Sequence, residues 1–314
     1  MAIYSLIFRR GVSSQIRLQA LLNAVCAIYI ITMTVMVTHV SFFYIVPECY
    51  GHDGMMIFKH RLGIWYIFTA VVGNYLTCIF TETGTKPEVN VSQGGKVEER
   101  DRHVPANCKI VKRKVRCKDE RQGQIRRKKS EKFCRTCNIA VSLRTHHCFL
   151  CEKCVIKRDH HCFFMGVCIG KSNHVYFILF TLFMGIGTFY GLLLIAKYLY
   201  FLYGIQFQGP QTFFSLFFNT IVTLLQGRIP SFRYLGLFLM LYVSLAGTLV
   251  SFGFLFWHVV IVTRGQTSYE ARMGITKYSK GTYMANIQQV FSRYNIISLL
   301  VPFWDLAMDN ISSG

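Results

Sequence analysis

Charged residues are scarce in this chain, and acidic residues are the scarcest. Only 16% of its 314 residues are Asp, Glu, Lys or Arg, and the mean hydropathy is +0.34. A soluble globular domain has roughly 25% charged residues. The deficit excludes an ordinary water-soluble domain and favours a membrane protein.

Long apolar runs support this class. Four runs can each cross a hydrocarbon core, which needs about 20 predominantly apolar residues: residues 18–46, 62–80, 175–203 and 234–262. The first run far exceeds the roughly 7–15 apolar residues of a cleavable signal peptide, so we expect it to remain as a span. A shorter run, residues 213–225, carries Asn219 and is predicted to be interfacial or re-entrant.

The distribution of basic residues predicts the orientation of these spans. Of the 35 lysine and arginine residues, 22 lie within residues 83–171, and most of the others precede the first span or follow the fourth. Basic segments stay on the cytosolic side of a membrane. With four spans, both termini and the central segment share one side, so all three are predicted to be cytosolic.

The sequence therefore divides into six segments. They are a cytosolic N-terminus (1–17), the first two spans (18–82), a basic cytosolic linker (83–133), a cysteine-rich domain (134–171), the last two spans with the apolar segment between them (172–262), and a cytosolic C-terminal region (263–314). This order places the cysteine-rich domain between the second and third spans.

The net charge of +20 then belongs mainly to a cytosolic face. Basic residues near a membrane surface attract anionic lipids by about 1 kcal/mol each, so the linker is expected to contact lipid headgroups or an anionic cytosolic substrate. Nucleic acid is disfavoured as a partner because the basic residues flank membrane spans.

Residues 134–168 hold seven of the 12 cysteines and four of the 10 histidines, in the segment CRTCNIAVSLRTHHCFLCEKCVIKRDHHCFFMGVC. Cytosolic thiols stay reduced, and structural zinc takes four tetrahedral ligands, commonly three Cys and one His. Two such sites use six cysteines and leave one thiol over. A four-cysteine site beside a three-cysteine site would use all seven, so counting alone does not establish a spare thiol.

Cys162 is the candidate for a spare thiol because it directly follows Asp159, His160 and His161. A nucleophilic thiol needs a base, and the base needs an acidic partner that orients it. The rings of adjacent histidines diverge, so one can bind metal while the other serves the thiol. The alternative is that Cys162 is a seventh ligand or a buried thiol within a zinc-rich knot, and spacing alone does not decide between the two.

The cluster has the pattern C-x2-C-x9-H-C-x2-C-x2-C-x4-D-H-H-C-x5-C. This pattern resembles the DHHC cysteine-rich domain of protein S-acyltransferases, the palmitoyltransferases, and Arg144 also fits. Beyond the fourth span, Thr267-Ser268-Tyr269-Glu270 resembles the TTxE motif of that family. A looser resemblance to its C-terminal aromatic–glycine–asparagine motif is carried by Tyr278, Gly281, Asn286 and Phe291.

The resemblance implies a fold and a set of roles. The fold would be an all-α polytopic membrane protein with four transmembrane helices and a cytosolic zinc-binding domain. Cys162 would be the nucleophile, His160 its base, and Asp159 the residue that orients His160. One structural zinc ion would be held by Cys134, Cys137, His147 and Cys154. A second would be held by Cys148, Cys151, His161 and Cys168.

Other residues receive supporting roles from the same resemblance. The supporting residues would be Thr267, Ser268, Glu270 and Asn286. Phe164 and Gly187 would contact the acyl chain, although small residues such as Gly187 also permit close packing of membrane helices. The chain departs from the family pattern after the nucleophile, where Phe163-Phe164 replaces the usual Pro-Trp, and Ser268 replaces a Thr.

The activity implied is transfer of a long-chain acyl group, such as palmitoyl, from acyl-CoA to protein cysteines near the bilayer, in two steps through a thioester on Cys162. The endoplasmic reticulum or Golgi membrane is the expected location. The alternative is a non-catalytic, membrane-anchored zinc scaffold or RING-like adaptor, which explains the zinc ligands but not the Asp-His-His-Cys sequence.

Overall fold

The computed structural model describes residues 14–85, 108–111, 114–117, 131–228 and 230–292. Four helices in these ranges are long and apolar enough to cross a membrane: Ser14–Tyr50, Gly54–Phe80, His174–Tyr203 and Phe232–Thr263. The four predicted spans are therefore confirmed by length and composition. Each helix is longer than its apolar run because the flanking polar residues continue it.

The first of these helices contains a wide turn. Residues Ser41–Ile45 are π-helical and are followed by the α-helical turn Val46–Tyr50, which carries Pro47 near its start. Proline has no N–H to donate and its ring crowds the carbonyl four residues earlier. A π turn accommodates that crowding without ending the helix.

A shorter apolar helix, Pro210–Leu225, lies between the third and fourth long helices. It begins at Pro210, where a missing N–H costs no hydrogen bond. Phe214, Phe218 and Leu225 on this helix are all exposed. Its predicted position at a membrane interface stays a prediction.

The cysteine-rich region is built of short antiparallel strands. A four-stranded sheet contains Cys108–Val111, Lys114–Cys117, Glu131–Cys134 and Ile139–Ser142, paired in that order. Two separate hairpins follow: His146–Cys148 with Lys153–Val155, and His160–Cys162 with Val167–Ile169. The protein is thus mostly helical, and the description all-α does not extend to this region, because its Cys-x2-Cys spacings form tight turns between paired strands.

The chain divides into two compact units. One contains the described residues of Met1–Ala27, Cys78–Val175 and Ile261–Ser292, and it includes the cysteine-rich region together with two short helices, Ser268–Arg272 and Tyr283–Phe291. The other contains the described residues of Ile28–Thr77 and Tyr176–Val260, whose core includes Ile45, Ile195 and Leu241. The residues that carry the chemistry of interest lie in the first unit.

Candidate active site and metal centres

Four side chains of the cysteine-rich region form the first metal group: Cys134, Cys137, His147 and Cys154, whose ligand atoms lie within 4.8 Å of one another. Strand pairing brings them together, since His147 is directly opposite Cys154 in its hairpin. Cys137 lies in the turn between Cys134 and Ile139, where Asn138 adopts a φ of 55°. Its Sγ is 3.2 Å from Nδ1 of His147.

A second metal group contains Cys148, Cys151, His161 and Cys168, also within 4.8 Å of one another. His161 is directly opposite Cys168 in the last hairpin. Nδ1 of His161 lies 3.7, 3.4 and 3.7 Å from the Sγ atoms of Cys148, Cys151 and Cys168. The Sγ atoms of Cys151 and Cys168 are 3.7 Å apart.

These distances fit a tetrahedral zinc site. With Zn–S bonds of about 2.3 Å and Zn–N bonds of about 2.0–2.1 Å, the edges of the tetrahedron are about 3.8 Å between sulfurs and about 3.5 Å between sulfur and nitrogen. The second metal group matches those edges closely. Each group offers three thiols and one imidazole, a common donor set for structural zinc.

The two groups interleave along the chain because successive side chains of a strand point to opposite faces. His147 belongs to the first metal group and its neighbour Cys148 to the second. The same alternation separates His160 from His161 on the strand His160–Cys162. The expected divergence of adjacent histidines therefore has a simple origin in strand geometry.

Cys162 belongs to neither metal group in the part of the chain that the structure describes. It is 6% exposed and hydrogen-bonds with His160. Nδ1 of His160 is in turn 2.7 Å from Oδ2 of Asp159, whose side chain is 1% exposed. Asp159, His160 and Cys162 thus form a hydrogen-bonded row that ends at a thiol.

The environment of His160 favours its protonated form. Burial on its own lowers the pKa of His160, but the hydrogen bonds to Asp159 and Cys162 outweigh it and raise the pKa to about 9. An imidazole with this preference readily accepts the proton of a neighbouring thiol, which leaves a thiolate. The row is therefore suited to activating Cys162 as a nucleophile.

Asp159 is held by the segment that follows the fourth long helix. The backbone N–H of Ser268 donates to Oδ1 of Asp159 at 2.6 Å, and the Ser268 hydroxyl donates to Oδ2 at 2.8 Å. Thr267 caps the helix Ser268–Arg272, where its Oγ1 accepts from the Glu270 N–H and its own N–H donates to the Glu270 carboxylate. This capping box fixes the turn that presents Ser268 to Asp159.

Glu270 also binds Arg144 through two parallel hydrogen bonds. Nε of Arg144 donates to Oε1 at 2.8 Å and a terminal nitrogen donates to Oε2 at 2.5 Å. The guanidinium also lies over the ring of Tyr278, 4.6 Å from its centroid. The side chains of Arg144 and Glu270 are only 16% and 5% exposed. This largely buried ion pair therefore helps to join the cysteine-rich region to the helix that orients Asp159.

Comparison with known proteins agrees with this geometry. A family model for DHHC palmitoyltransferase matches residues 127–274, which include both metal groups, the Asp159–His160–Cys162 row and the Ser268 turn. Over residues 127–274, the chain is therefore similar to the DHHC family.

Three proteins named Palmitoyltransferase ZDHHC22 are similar to this chain. The protein from Danio rerio is 38% identical over 170 residues, which cover 54% of this chain and 56% of that protein. Those from Mus musculus and Homo sapiens are 31% and 30% identical over 181 residues, which cover 58% of this chain and 63% of each protein. The match thus spans somewhat more than half the length of these curated relatives.

Breaking the ion pair between Arg144 and Glu270 is expected to destabilise the protein. Glu270→Ala leaves the Arg144 guanidinium buried without its partner, which costs about 3–5 kcal/mol. Thermal unfolding in detergent should show a clear fall in Tm. A Tm for Glu270→Ala equal to that of the wild type would contradict the role given to the ion pair.

Asn286, a predicted supporting residue, attaches the C-terminal segment to the end of the fourth long helix. It is 3% exposed, and its Nδ2 donates to the Thr263 carbonyl at 2.9 Å and to Ser279 Oγ at 3.0 Å. Gly265 has a φ of +69°, and a Cβ there would lie 2.5 Å from Oδ1 of Asn286. The close approach and the left-handed backbone together require glycine at this position.

Asn173 was not predicted, yet it connects the second metal group to the adjoining helices. It is 0% exposed. Its Nδ2 donates to the carbonyls of Cys78 and Cys168 at 3.0 and 3.1 Å, and its Oδ1 accepts from the Gly170 N–H at 2.9 Å. The signal in the sequence is its place just before the apolar run of the third span, where asparagine is a preferred N-cap residue.

The two predicted acyl-binding residues lie in different surroundings. Phe164 is half-buried in the turn between Cys162 and Val167. Gly187 lies in the third long helix, where an added Cβ would be 2.9 Å from Cγ2 of Ile67. That contact is the one expected for close helix packing, and an acyl cavity at Gly187 stays a prediction.

Proposed function

We propose that this chain is a DHHC-type protein S-acyltransferase that moves a long-chain acyl group, such as palmitoyl, from acyl-CoA to protein cysteines. The observation that carries the proposal is the hydrogen-bonded row of Asp159, His160 and Cys162, with Ser268 holding the buried carboxylate. Covalent catalysis by a thiol needs a nucleophile, a base and a residue that orients the base. The row contains one of each.

In the first step, Cys162 takes the acyl group from the donor. Asp159 accepts a hydrogen bond from Nδ1 of His160, so the proton of the neutral ring lies on Nδ1, and Nε2 can accept the thiol proton. The Cys162 sulfur attacks the thioester carbonyl carbon of acyl-CoA, and the bond between that carbon and the CoA sulfur breaks. The CoA thiolate receives the proton held by His160.

In the second step, the acyl group leaves Cys162 for a protein substrate. His160 accepts the proton of the incoming cysteine, whose sulfur attacks the acyl-Cys162 carbonyl carbon. The bond to the Cys162 sulfur breaks, and His160 returns the proton to that sulfur. The enzyme ends as it began, and the acyl group forms a new thioester on the substrate.

Two zinc ions are proposed as structural cofactors. The first would be held by Cys134, Cys137, His147 and Cys154. The second would be held by Cys148, Cys151, His161 and Cys168. Closed sites with four protein ligands leave no open position for water, so the metal supplies rigidity rather than Lewis-acid chemistry. The hairpin that carries His160 and Cys162 also carries the ligands His161 and Cys168, and Asp159 directly precedes it, so zinc binding would fix the row.

Partners and location follow from the same function. The donor is long-chain acyl-CoA, and the substrates are cytosolic or membrane-associated proteins with cysteines near the bilayer. Phe164 and Gly187 are proposed to contact the acyl chain. The basic linker is proposed to contact anionic lipids on the cytosolic side of an endoplasmic reticulum or Golgi membrane, and nucleic acid is no partner. The linker falls mostly outside the described residues.

The geometry gives no support to the scaffold alternative. A zinc-binding scaffold or adaptor needs the two metal groups, but it has no use for a buried carboxylate that orients a histidine beside a thiol outside both groups. Burying Asp159 is costly unless its charge is paired and hydrogen-bonded. An acyltransferase needs that arrangement, because the histidine must be oriented to accept the thiol proton.

Labelling with palmitoyl-CoA tests the proposed activity. The purified full chain should gain label that hydroxylamine removes, whereas Cys162→Ser should gain none. Cys26→Ser is the matched control, because Cys26 is a half-buried free thiol in the first long helix, and it should label like the wild type. Equal label on Cys162→Ser and the wild type would refute the thioester, and no label on any variant would refute the activity.

A further inference from the structure

One face of the segment Ser14–Val40 in the first long helix is buried, and Asn23 is the polar residue among its buried side chains. In the segment Ser14–Val40 the buried residues are Ala20, Asn23, Ala24 and Ala27. Residues three or four apart lie on the same side of a helix, so these four form one stripe. Ile16, one turn before Ala20, packs against the apolar cluster around Cys148 and Cys168. The start of this helix therefore lies against the second metal group.

Asn23 contacts the one imidazole of that group. Its side-chain amide is 3.2 Å from Nε2 of His161, while Nδ1 of the same ring faces the three thiols at 3.4–3.7 Å. Asn23 is 2% exposed. A buried amide in a membrane helix is costly unless it is hydrogen-bonded. The contact with His161 therefore explains why an asparagine occurs on a buried face that is otherwise made of alanines.

The protonation of His161 decides which atom of Asn23 makes this contact. An imidazole that binds metal through Nδ1 carries its proton on Nε2 and donates from there. The partner must then be an oxygen. The structure has Nδ2 of Asn23 facing the ring and leaves Oδ1 buried without a partner among the residues it describes. Amide oxygen and nitrogen are assigned from the hydrogen-bond network. Flipping the Asn23 amide lets Nε2–H of His161 donate to Oδ1 of Asn23, so both groups gain a partner.

We propose that Asn23 is a positioning residue for the second metal centre. Its Oδ1 accepts the hydrogen bond from Nε2–H of His161, which fixes the ring with Nδ1 towards the metal. His161 directly precedes Cys162 on the strand His160–Cys162. The first membrane helix is thereby coupled to the centre that holds the nucleophile in place.

This inference rests on the proposed zinc site, and it makes a claim about metal affinity that needs no acyl transfer. Partners that bind the second ring nitrogen of a ligating histidine raise its basicity and orient it, and losing one typically weakens metal binding about 10–100-fold. Asn23→Leu removes the acceptor at similar volume. Asn23→Asp keeps an oxygen and adds charge, which makes it a stronger acceptor.

Zinc release to the chelator 4-(2-pyridylazo)resorcinol tests the proposal, with the full chain in detergent and no acyl-CoA. In Asn23→Leu, one of the two zinc ions should be held about 10–100-fold more weakly and should leave earlier than in the wild type. Asn23→Asp should hold both ions at least as tightly as the wild type. Asn74 is 5% exposed and donates to the Ala70 carbonyl of its own helix at 2.8 Å, so Asn74→Leu is the matched control and should behave as the wild type.

Two outcomes would overturn the proposal directly. One is wild-type release of both ions from Asn23→Leu, and the other is faster release from Asn23→Asp than from the wild type. Faster zinc release from Asn23→Asp would overturn the proposal even if Asn23→Leu does not fold. A wild-type chain without zinc would overturn the metal assignment and this inference together, whereas a chain that binds zinc but takes no acyl label would refute only the proposed activity.

Discussion

Asp159→Asn is expected to slow formation of the acyl-enzyme by about 10²–10⁴-fold, the usual contribution of a general base, while leaving the zinc content unchanged. An amide carries no charge to stabilise protonated His160. Its NH₂ group would also face the donors of Ser268, which now bind the carboxylate at 2.6 and 2.8 Å. His160 would then lose the contact that orients its ring, and its pKa would fall.

Rapid-quench labelling with acyl-CoA measures that rate. Ser268→Ala is the graded control, because it removes the hydroxyl donor to Asp159 but keeps the backbone donor. Its rate should lie between those of the wild type and Asp159→Asn. A wild-type rate in Asp159→Asn would contradict the role of Asp159, and zinc loss in that variant would show that its effect is structural.

Substitution of metal ligands is expected to have the largest effect on stability. Cys137→Ala should release the zinc of the first metal group, and His161→Ala that of the second. Each structural zinc in a small domain contributes on the order of 10 kcal/mol to folding. The hairpins contain little apolar core to replace it, since the second metal group itself supplies Cys148 and Cys168 to the nearby apolar cluster.

Because the ligands of the two metal groups alternate along the chain, we expect the two sites to depend on each other. His147 and Cys148 are neighbours on one strand but belong to different groups, so loss of either metal should loosen the other. Metal analysis should find well below two zinc ions per chain in both ligand variants. Cys162→Ala is the matched control and should keep two. Zinc loss from Cys162→Ala would show that Cys162 is a ligand, and full zinc content in His161→Ala would refute the assignment of the second group.

The membrane spans could be predicted from the sequence because apolarity over about 20 residues is a strong local signal. The ends of the helices could not. The second span was predicted from residue 62, yet its helix begins at Gly54. Arg61 interrupts the apolar run but not the helix, because its guanidinium donates to the Phe42 carbonyl at 3.3 Å and lies over the Phe42 ring.

The strands of the cysteine-rich region were not predicted because its residues alternate as metal ligands rather than as apolar and polar side chains. Hairpin His146–Cys148 with Lys153–Val155 contains three cysteine or histidine ligands in six strand residues. Periodicity of hydrophobicity, the usual strand signal, is absent from such a segment. The composition of the two groups was predicted from the family resemblance, because the spacing of Cys and His left alternatives open.

Two contacts between distant parts of the chain could not be predicted from the sequence. Asn23 and His161 are separated by 138 residues, and Arg144 and Glu270 by 126. Each residue has an ordinary local explanation: a polar residue in a span, or a charge on a surface. Only the fold shows that Asn23 contacts His161 and that Arg144 contacts Glu270 on the helix that holds Asp159.

A single-turnover chase would show whether acyl transfer runs through a thioester on Cys162. Enzyme labelled with palmitoyl-CoA would be freed of donor, mapped by mass spectrometry, and then mixed with a membrane-anchored peptide that contains one cysteine. We expect the acyl group to map to Cys162 and to pass to the peptide as the enzyme loses it, with no transfer by Cys162→Ser. Transfer that requires donor to be present, or an acyl group on another residue that moves to the peptide while Cys162 stays unmodified, would contradict this expectation.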